Sequence, residues 1–113
     1  MVSPSRNSVA LVKFPFSDLS SAKRRPALVL ACAGRDDWIL CQITSNPYAD
    51  PLAIQISEED FLEGGLQRLS YVRPGKLFTA NANLLERVVG TLDEVVFQSV
   101  IGAVVELLQK AGH

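Results

Sequence analysis

Two adjacent arginines, Arg24 and Arg25, stand immediately before Pro26 and the apolar run of residues 27–32. Proline can occupy the first position of a strand, because its missing N–H group does not interrupt the ladder there. A run that is apolar on both faces is expected to be buried on both. The sequence therefore predicts guanidinium groups at the end of a rigid core strand, where a planar, bidentate donor can hold a phosphate or carboxylate in fixed geometry. The alternative, which this segment alone favours, is that Lys23 and the two arginines form the solvated end of a loop.

The residue types that the chain lacks exclude several kinds of catalysis. The only histidine is the last residue, His113, so neither a histidine acid–base pair nor a Ser/His triad can be assembled. The two cysteines, Cys32 and Cys41, lie inside apolar runs and are expected to be buried as small hydrophobic side chains. No metal-ligand cluster of histidine and thiol is available, and we expect neither a metal nor a cofactor.

Length and composition predict a single domain, residues 1–113, in which the polar residues 1–7 are expected to be flexible. Hydrophobic residues make up 48% and charged residues 20% of the chain, which is typical of a compact soluble fold. No apolar run approaches the roughly 20 residues that cross a bilayer. The N-terminus does not resemble a secretory signal. We therefore expect a cytoplasmic protein with no membrane partner.

Charge is distributed unevenly, although the net charge is only −1. Residues 1–35 contain six basic residues and one acidic residue, whereas residues 36–113 contain five basic and eleven acidic residues. A small fold with this asymmetry can present a positive face to a polyanion and remain soluble.

The pattern of apolar residues predicts short strands followed by one helix. Strands are expected at residues 8–16, 26–32, 38–44, 52–56, 69–73 and 76–80, with a brief pairing at 87–89 and a hairpin turn at 34–37. Short helical turns are expected at residues 57–60 and 81–85. Thr91 and Glu94 have the spacing of a capping box that would open a helix over residues 95–108. Its apolar positions at helical spacing are Val96, Val100, Ile101, Val104, Val105 and Leu108. Together these elements indicate a small, curved antiparallel barrel with a C-terminal helix.

Over residues 9–108 the chain resembles the MazF/PemK family of bacterial toxins. The similarity rests on the segments LVKFPFSDLSSAKRRP, RPALVL, CQITS and LSYVRPGKLFTA, and on the capped terminal helix. It implies a mainly β fold, the SH3-like antiparallel barrel of MazF, PemK and CcdB. It also implies the toxin half of a type II toxin–antitoxin pair, a homodimer that cleaves single-stranded RNA sequence-specifically without a metal and leaves a cyclic phosphate and a 5′-hydroxyl.

The same resemblance implies roles for individual residues. Arg25 matches the arginine of the RP motif, which acts at the scissile phosphate, and Thr44 matches the second catalytic position of many members. Arg73 matches an arginine used by the PemK branch. Gly75 stands where that branch has an aspartate, so the similarity is closer to the Arg/Thr type. The residues expected to bind RNA are Lys23, Arg24, Ser45, Arg73 and Lys76.

Elementary chemistry agrees with a metal-free ribonuclease. In-line attack by a ribose 2′-hydroxyl builds charge on the non-bridging phosphate oxygens, and a fixed guanidinium stabilises that transition state. Because arginine is a poor proton acceptor, Arg25 is assigned to charge stabilisation, with proton donation to the leaving oxygen as an additional role. Thr44 would orient the phosphate or the 2′-hydroxyl, whose participation explains a requirement for RNA. The sequence offers no obvious general base.

Simpler interpretations remain open. Thr44 at a strand end is more often a hydrogen-bonding turn residue, and Arg73 could pair with an acid such as Glu63. Trp38 favours a core or dimer contact over base stacking, while residues 14–16 could stack bases or form a hydrophobic lid. Two other functions are also alternatives: a CcdB-like toxin that poisons DNA gyrase, and a catalytically silent binding module of the same fold.

Two protein partners are expected. The family resemblance and the apolar residues Trp38, Val95, Val100 and Ile101 predict a homodimer. The cognate antitoxin is expected to bind through a mostly disordered, acidic segment that covers the positive face around residues 23–25, because coupled folding lets such a segment wrap a large surface.

Overall fold

Seven antiparallel strands form one curled sheet in the computed structural model, which describes residues 4–14 and 23–110. The strands are β1 (Ser8–Phe14), β2 (Lys23–Gly34), β3 (Asp37–Thr44), β4 (Ile54–Ile56), β5 (Phe61–Gly64), β6 (Ser70–Asn81) and β7 (Leu85–Leu92). Short 3₁₀ turns lie at Glu58–Asp60 and Ala82–Leu84, and the helix α1 is Glu94–Gln109. The strand order is β4-β6-β3-β2-β1-β7-β5. This architecture confirms the predicted fold class. No helix in the described parts of the chain is long and apolar enough to span a membrane.

β2 lies at the centre of the sheet between β1 and β3. Residues 27–30 of its apolar run are buried on both faces as predicted, whereas Ala31 is half-buried and Cys32 is exposed. Leu28 and Leu30 pack into the core cluster that also contains Phe97 of α1. Ala27 and Val29 pack into a second cluster on the other face, together with Leu40 and Leu85 among others. The basic residues that precede this run are therefore attached to a strand whose position is fixed from both sides.

The β2–β3 hairpin and both helical turns are confirmed. Arg35 and Asp36 turn the hairpin with φ values of 53° and 65°, the left-handed conformation that tight two-residue hairpin turns require. β1 is confirmed as far as Phe14, and the rest of the predicted strand, residues 15–16, lies outside the described residues. The predicted strand at 52–56 is shorter, Ile54–Ile56.

The prediction of two strands around Pro74 is wrong, because β6 is one continuous strand. In the pairing of β3 with β6, Cys41 lies opposite Leu77 and the next pair joins Ile43 to Val72. Four residues of β6 therefore face one residue of β3. Such a bulge tolerates proline, which has no N–H group to donate to the ladder. Pro74 itself is fully buried.

The region from residue 61 to residue 92 contains more sheet than predicted. β7 spans eight residues instead of the brief pairing expected, and β5 was not predicted. β5 pairs with β7 up to Gly64, which lies opposite Gly90. A Cβ atom on Gly64 would lie 2.2 Å from the carbonyl oxygen of Val89, so only glycine permits this close approach of the two strands.

The predicted start of the helix is also wrong in its cap. Thr91 belongs to β7, where it pairs with Ser8 and Glu63, and the N-cap is Asp93. The capping box that was expected at Thr91 is present instead at the first 3₁₀ turn. There the Ser57 N–H donates to Asp60 Oδ2 at 2.8 Å. Pairing on both sides of β7 outweighs the local preference of threonine for a cap.

α1 packs against the sheet through Phe97, Val100 and Val104, which are buried. Phe97 was not among the predicted apolar positions, whereas Val105 and Leu108 follow the predicted spacing and are exposed. The helix therefore presents apolar side chains to solvent as well as to the core.

The two cysteines have different environments. Cys41 is buried, as predicted, and burial raises the pKa of its thiol to about 12. Cys32 is exposed, so its predicted burial is wrong. It lies near the hairpin end of β2, beyond the part of the strand that the core covers on both faces.

Replacement of Phe97 tests the role of the helix in holding the fold. Phe97→Ala is expected to reduce the free energy of unfolding by about 3–5 kcal/mol, because the removed ring leaves a cavity. Gln98→Ala, at an exposed polar position of the same helix, is expected to change it by less than about 0.5 kcal/mol. Urea unfolding followed by circular dichroism measures both. Equal effects of the two substitutions would contradict this account of α1.

Candidate functional site

A cavity of about 560 Å³ opens where β2 begins and β3 ends. We call it the Arg25 cavity. It brings together four of the predicted site residues: Arg24, Arg25, Thr44 and Ser45. The other lining residues are Leu11, Pro26, Ile43, Tyr48, Leu66, Arg68 and Ser70.

The antiparallel pairing of β2 and β3 explains why Arg25 and Thr44 meet. Ala27 lies opposite Gln42 in the register of the two strands. The start of β2 and the end of β3 therefore reach the same edge of the hairpin. Arg25 is half-buried and lies opposite Val12 of β1, so it stands inside the sheet and not in a free loop.

Arg24 forms an ion pair with Glu86 of β7 through its Nε atom. The hydrogen bond from Arg24 lowers the pKa of the Glu86 carboxyl below its usual value. The two side chains are 56% and 27% exposed, so the pair adds little to stability. The ion pair places the Glu86 carboxylate beside the positive face around residues 23–25.

Lys23 begins β2 opposite Phe14 of β1. The side chains of both residues lie outside the described parts of the chain, as do residues 15–16. The expected contact of Lys23 with RNA and the expected stacking or lid role of residues 14–16 therefore stay predictions.

Thr44 occupies the turn position that the simpler interpretation gave it. Its hydroxyl donates to the Asn46 carbonyl oxygen at 3.0 Å and accepts from the Asn46 N–H at 3.1 Å. Thr44 is also one of the residues that line the Arg25 cavity. Because the Thr44 hydroxyl donates its only proton within the turn and accepts one hydrogen bond there, one lone pair of its oxygen remains to accept from a ligand.

Arg73 and Lys76, both predicted to bind RNA, are not among the lining residues of the Arg25 cavity. Arg73 pairs with Asp50, not with Glu63, through an Nε–Oδ2 contact of 2.9 Å. The two side chains are only 17% and 11% exposed. Lys76 is exposed and lines a smaller cavity of about 270 Å³ elsewhere on the sheet.

The Arg73–Asp50 pair fastens the loop that connects β3 to β4. Asp50 Oδ1 also accepts from the Leu52 N–H at 2.9 Å, so both carboxylate oxygens are engaged. The hydrogen bond from Arg73 is the main cause of the lowered pKa of Asp50. The Arg73 guanidinium also lies over the ring of Tyr48, 5.8 Å from its centroid. Arg73 thus supports Tyr48, which lines the Arg25 cavity, from behind the wall.

Sequence reasoning missed Tyr48 and Arg68 in the wall of the cavity. Arg68 is exposed and adds a third guanidinium to those of Arg24 and Arg25. The sequence gave little reason to select it, since a basic residue in a loop is usually solvated. Within residues 4–14 and 23–110, no three side chains of histidine, cysteine, aspartate or glutamate cluster to form a metal site.

A curled antiparallel sheet with one C-terminal helix defines a small SH3-like barrel, and a cavity with three arginines in its lining opens where β2 begins and β3 ends. The family model described as a PemK-like, MazF-like toxin of type II toxin–antitoxin systems matches residues 5–108, and the chain belongs to this family.

Solved structures share this fold at low sequence identity. A MazE–MazF complex from Deinococcus radiodurans aligns with a TM-score of 0.75 at 19% identity, covering 96% of this chain and 98% of the other. A mycobacterial endoribonuclease in complex with its cognate antitoxin aligns with a TM-score of 0.69 at 16% identity, covering 97% of both chains. Mycobacterium tuberculosis toxin MazF-mt6 aligns with a TM-score of 0.70 at 16% identity, covering 93% and 99%. No curated protein sequence matches the chain.

The Asp50–Arg73 pair makes stability depend on pH. Folding lowers the pKa of Asp50 below its ordinary value of 3.8. The pair therefore stabilises the fold fully above pH 3.8, and this contribution is lost as the pH falls through the lower pKa of the folded state. Asp50→Asn should therefore be less stable than wild type at neutral pH, and the difference should shrink below about pH 4.

Urea unfolding between pH 7 and pH 3 measures this difference. Asp36→Asn, which removes an exposed carboxylate from the hairpin turn, controls for the general effect of a lost negative charge. A wild-type advantage over Asp50→Asn that stays constant down to pH 3 would show that the pair does not act in this way.

Proposed function

We propose that the protein is an endoribonuclease toxin that cleaves single-stranded RNA sequence-specifically and without a metal, by attack of a ribose 2′-hydroxyl on the adjacent phosphate. The observation that carries the proposal is the convergence of Arg25 and Thr44 on one cavity of about 560 Å³, within a chain of the MazF/PemK toxin family. Cavities of this size accept small ligands and fragments of larger ones.

Arg25 is assigned to the scissile phosphate. In the reaction the 2′-hydroxyl loses its proton as its oxygen bonds to phosphorus. The bond to the 5′-oxygen breaks and that oxygen takes up a proton, donated by Arg25 or by solvent, so that a cyclic phosphate and a 5′-hydroxyl result. Negative charge grows on the non-bridging oxygens in the transition state. A guanidinium held by a strand that is buried on both faces needs little reorganisation to meet that charge, which is the most efficient form of electrostatic stabilisation.

Thr44 is assigned to orientation of the 2′-hydroxyl, which can donate to the remaining lone pair of the Thr44 oxygen, or of the phosphate, to which Thr44 would donate its proton in place of the Asn46 carbonyl oxygen. The eleven described residues that line the Arg25 cavity include no carboxylate and no histidine. We therefore assign most of the rate enhancement to charge stabilisation and not to a general base. RNA binding is assigned to three residues of the cavity wall, Arg24, Ser45 and Arg68, and to Lys23, which precedes Arg24 in the sequence.

Arg73 and Lys76 were also expected to bind RNA. In the proposed site Arg73 acts through the loop that it fastens, because its guanidinium is engaged by Asp50. Lys76 lies away from the Arg25 cavity and is kept only as a contact for a longer RNA.

The proposed protein partners are a second copy of the chain and a cognate antitoxin. Apolar surface for a dimer is available at Val95 and Leu108, which are 72% and 71% exposed. Val100, which was also expected to contribute, is completely buried in the core and cannot do so. An acidic antitoxin segment would be attracted to the positive face around Arg24, and that attraction should weaken with salt.

Arg25→Ala is expected to retain the fold and to lower the rate of single-stranded RNA cleavage by at least about 100-fold, as loss of one transition-state donor usually does. Arg25→Lys should restore little, because an ammonium cannot replace the bidentate guanidinium. Thr44→Val should cost less, since no charge is lost. Cleavage of a mixed-sequence RNA in excess EDTA, with thermal melting of each variant, measures these effects.

Arg35→Ala, in the exposed hairpin turn, is the matched control and should cleave as wild type does. Full activity of a folded Arg25→Ala protein would reject the assignment. Activity that disappears in EDTA and returns with magnesium would reject the metal-free mechanism. Absence of cleavage by pure wild-type protein would favour the gyrase poison or the silent binding module.

The double variant Lys23→Glu/Arg24→Glu is expected to lose RNA binding and antitoxin affinity, because both ligands are proposed to use the positive face. Its dimerisation should persist. Light scattering measures dimerisation, and titration with RNA and with antitoxin measures binding. The control Arg35→Glu/Lys110→Glu makes the same change of net charge elsewhere. Wild-type antitoxin affinity in the first variant would show that the antitoxin does not occupy the RNA site.

A further inference from the structure

Tyr48 is an exposed aromatic residue in the wall of the Arg25 cavity. Its relative exposure is 67%, and the other strongly exposed large hydrophobic residues in the described parts of the chain are all leucine or valine. An aromatic ring in contact with water costs free energy, and in nucleic-acid-binding sites such rings are used as surfaces on which bases stack.

The backbone holds Tyr48 in a conformation that a non-glycine residue seldom adopts. Its φ angle is 53°, in the left-handed region. The Tyr48 N–H donates to Asn46 Oδ1 at 3.0 Å, and Asn46 is itself fixed by two hydrogen bonds with the Thr44 hydroxyl. A chain of hydrogen bonds therefore connects the position of the ring to the residue proposed to orient the phosphate.

One face of the ring is covered by a fixed cation. The Arg73 guanidinium lies 5.8 Å from the ring centroid, and Asp50 holds that guanidinium in place at 2.9 Å. The cation fixes the orientation of the ring by a cation–π contact. The large exposed fraction of the side chain leaves the remaining surface of the ring open to solvent.

We propose that Tyr48 is the stacking platform for the nucleobase next to the scissile phosphate and thereby helps to select the cleavage position. This inference rests on the proposed function, because it assumes RNA at the Arg25 cavity. Tyr48 lines the same cavity as Arg25 and Thr44, so a phosphate held by those two residues would bring its neighbouring base to the wall that contains the Tyr48 ring. Stacking accepts every base, and the larger purine rings overlap the platform best.

A purely structural role of Tyr48 makes a different prediction. If the ring served only to fasten the loop through Arg73, any substitution that removes the ring would lower thermal stability, and the effect on RNA would not depend on which nucleotide lacks its base. If the ring is a stacking platform, removal of the ring and removal of the stacked base each lower the RNA affinity by the same factor. Both changes together then lower the affinity no further than either one alone.

The test uses the full chain and a short RNA around a cleavage site mapped with wild-type protein. A 2′-deoxy nucleotide at the attacking position prevents cleavage, and fluorescence anisotropy measures affinity. Single abasic substitutions are placed at each nucleotide that flanks the cleavage site. Wild type should lose affinity by about 5- to 100-fold at one flanking position, the range reported by loss of one stacked base.

Tyr48→Leu, which keeps an apolar side chain but not a flat ring, should lose the same affinity for intact RNA and show no further loss when that base is removed. Tyr48→Phe should restore most of the affinity. Leu62→Ala is the matched control, since Leu62 is 66% exposed and lies outside the lining of the Arg25 cavity. On cleavable RNA, Tyr48→Leu should raise KM more than it lowers kcat.

Two results would overturn the proposal while the proposed function stands. One is wild-type affinity of Tyr48→Leu in a protein that cleaves RNA with full dependence on Arg25. The other is a loss of RNA affinity in Tyr48→Leu that adds to the loss caused by each abasic substitution, whichever nucleotide lacks its base. If wild-type protein neither binds nor cleaves the RNA, both this proposal and the proposed function are rejected.

Discussion

Burial of β2 on both faces is the constraint on which the rest of the structure depends. Leu28 and Leu30 point into one core cluster and Ala27 and Val29 into the other, so the strand cannot move without disturbing both. A charged side chain at the end of such a strand is positioned by the whole core. This is why a domain of modest size can hold a guanidinium rigidly at its surface without a disulfide or a metal.

A second level of organisation is the loop between β3 and β4, which follows Thr44 and returns at Ile54. Asp50 connects this loop to Arg73 of β6, and the carbonyl oxygen of Arg73 in turn accepts from the buried Cys41 thiol at 2.9 Å. A nearly buried ion pair is retained here because each partner is also hydrogen-bonded or stacked elsewhere. The wall of the cavity is therefore fixed by contacts between elements far apart in sequence.

The contrast between the buried strand β2 and the loop held by tertiary contacts explains which parts of the site could be predicted from the sequence. Arg25 was singled out from sequence because it precedes an apolar run that marks a buried strand, whereas Thr44 was assigned only through the resemblance to the MazF/PemK family. The register of the β2–β3 hairpin explains why the two residues meet. The partner of Arg73 could not be found, because several acids were equally available and only the tertiary fold selects Asp50. The capping box at Thr91 failed for the same reason: strand pairing on both sides of β7 overrides a local signal. Tyr48 resembled an ordinary loop residue until its neighbours were known.

The unequal cysteines have a practical consequence. A thiol with a pKa of about 12 holds almost no thiolate at neutral pH, so Cys41 should be inert towards alkylating reagents. Cys32 is exposed and lies opposite Trp38 in the β2–β3 register. The native chain thus already carries one addressable thiol beside its single tryptophan. A fluorophore coupled there would lie against the indole, so docking of another molecule on that hairpin would change its emission through altered contact quenching, without any engineered cysteine.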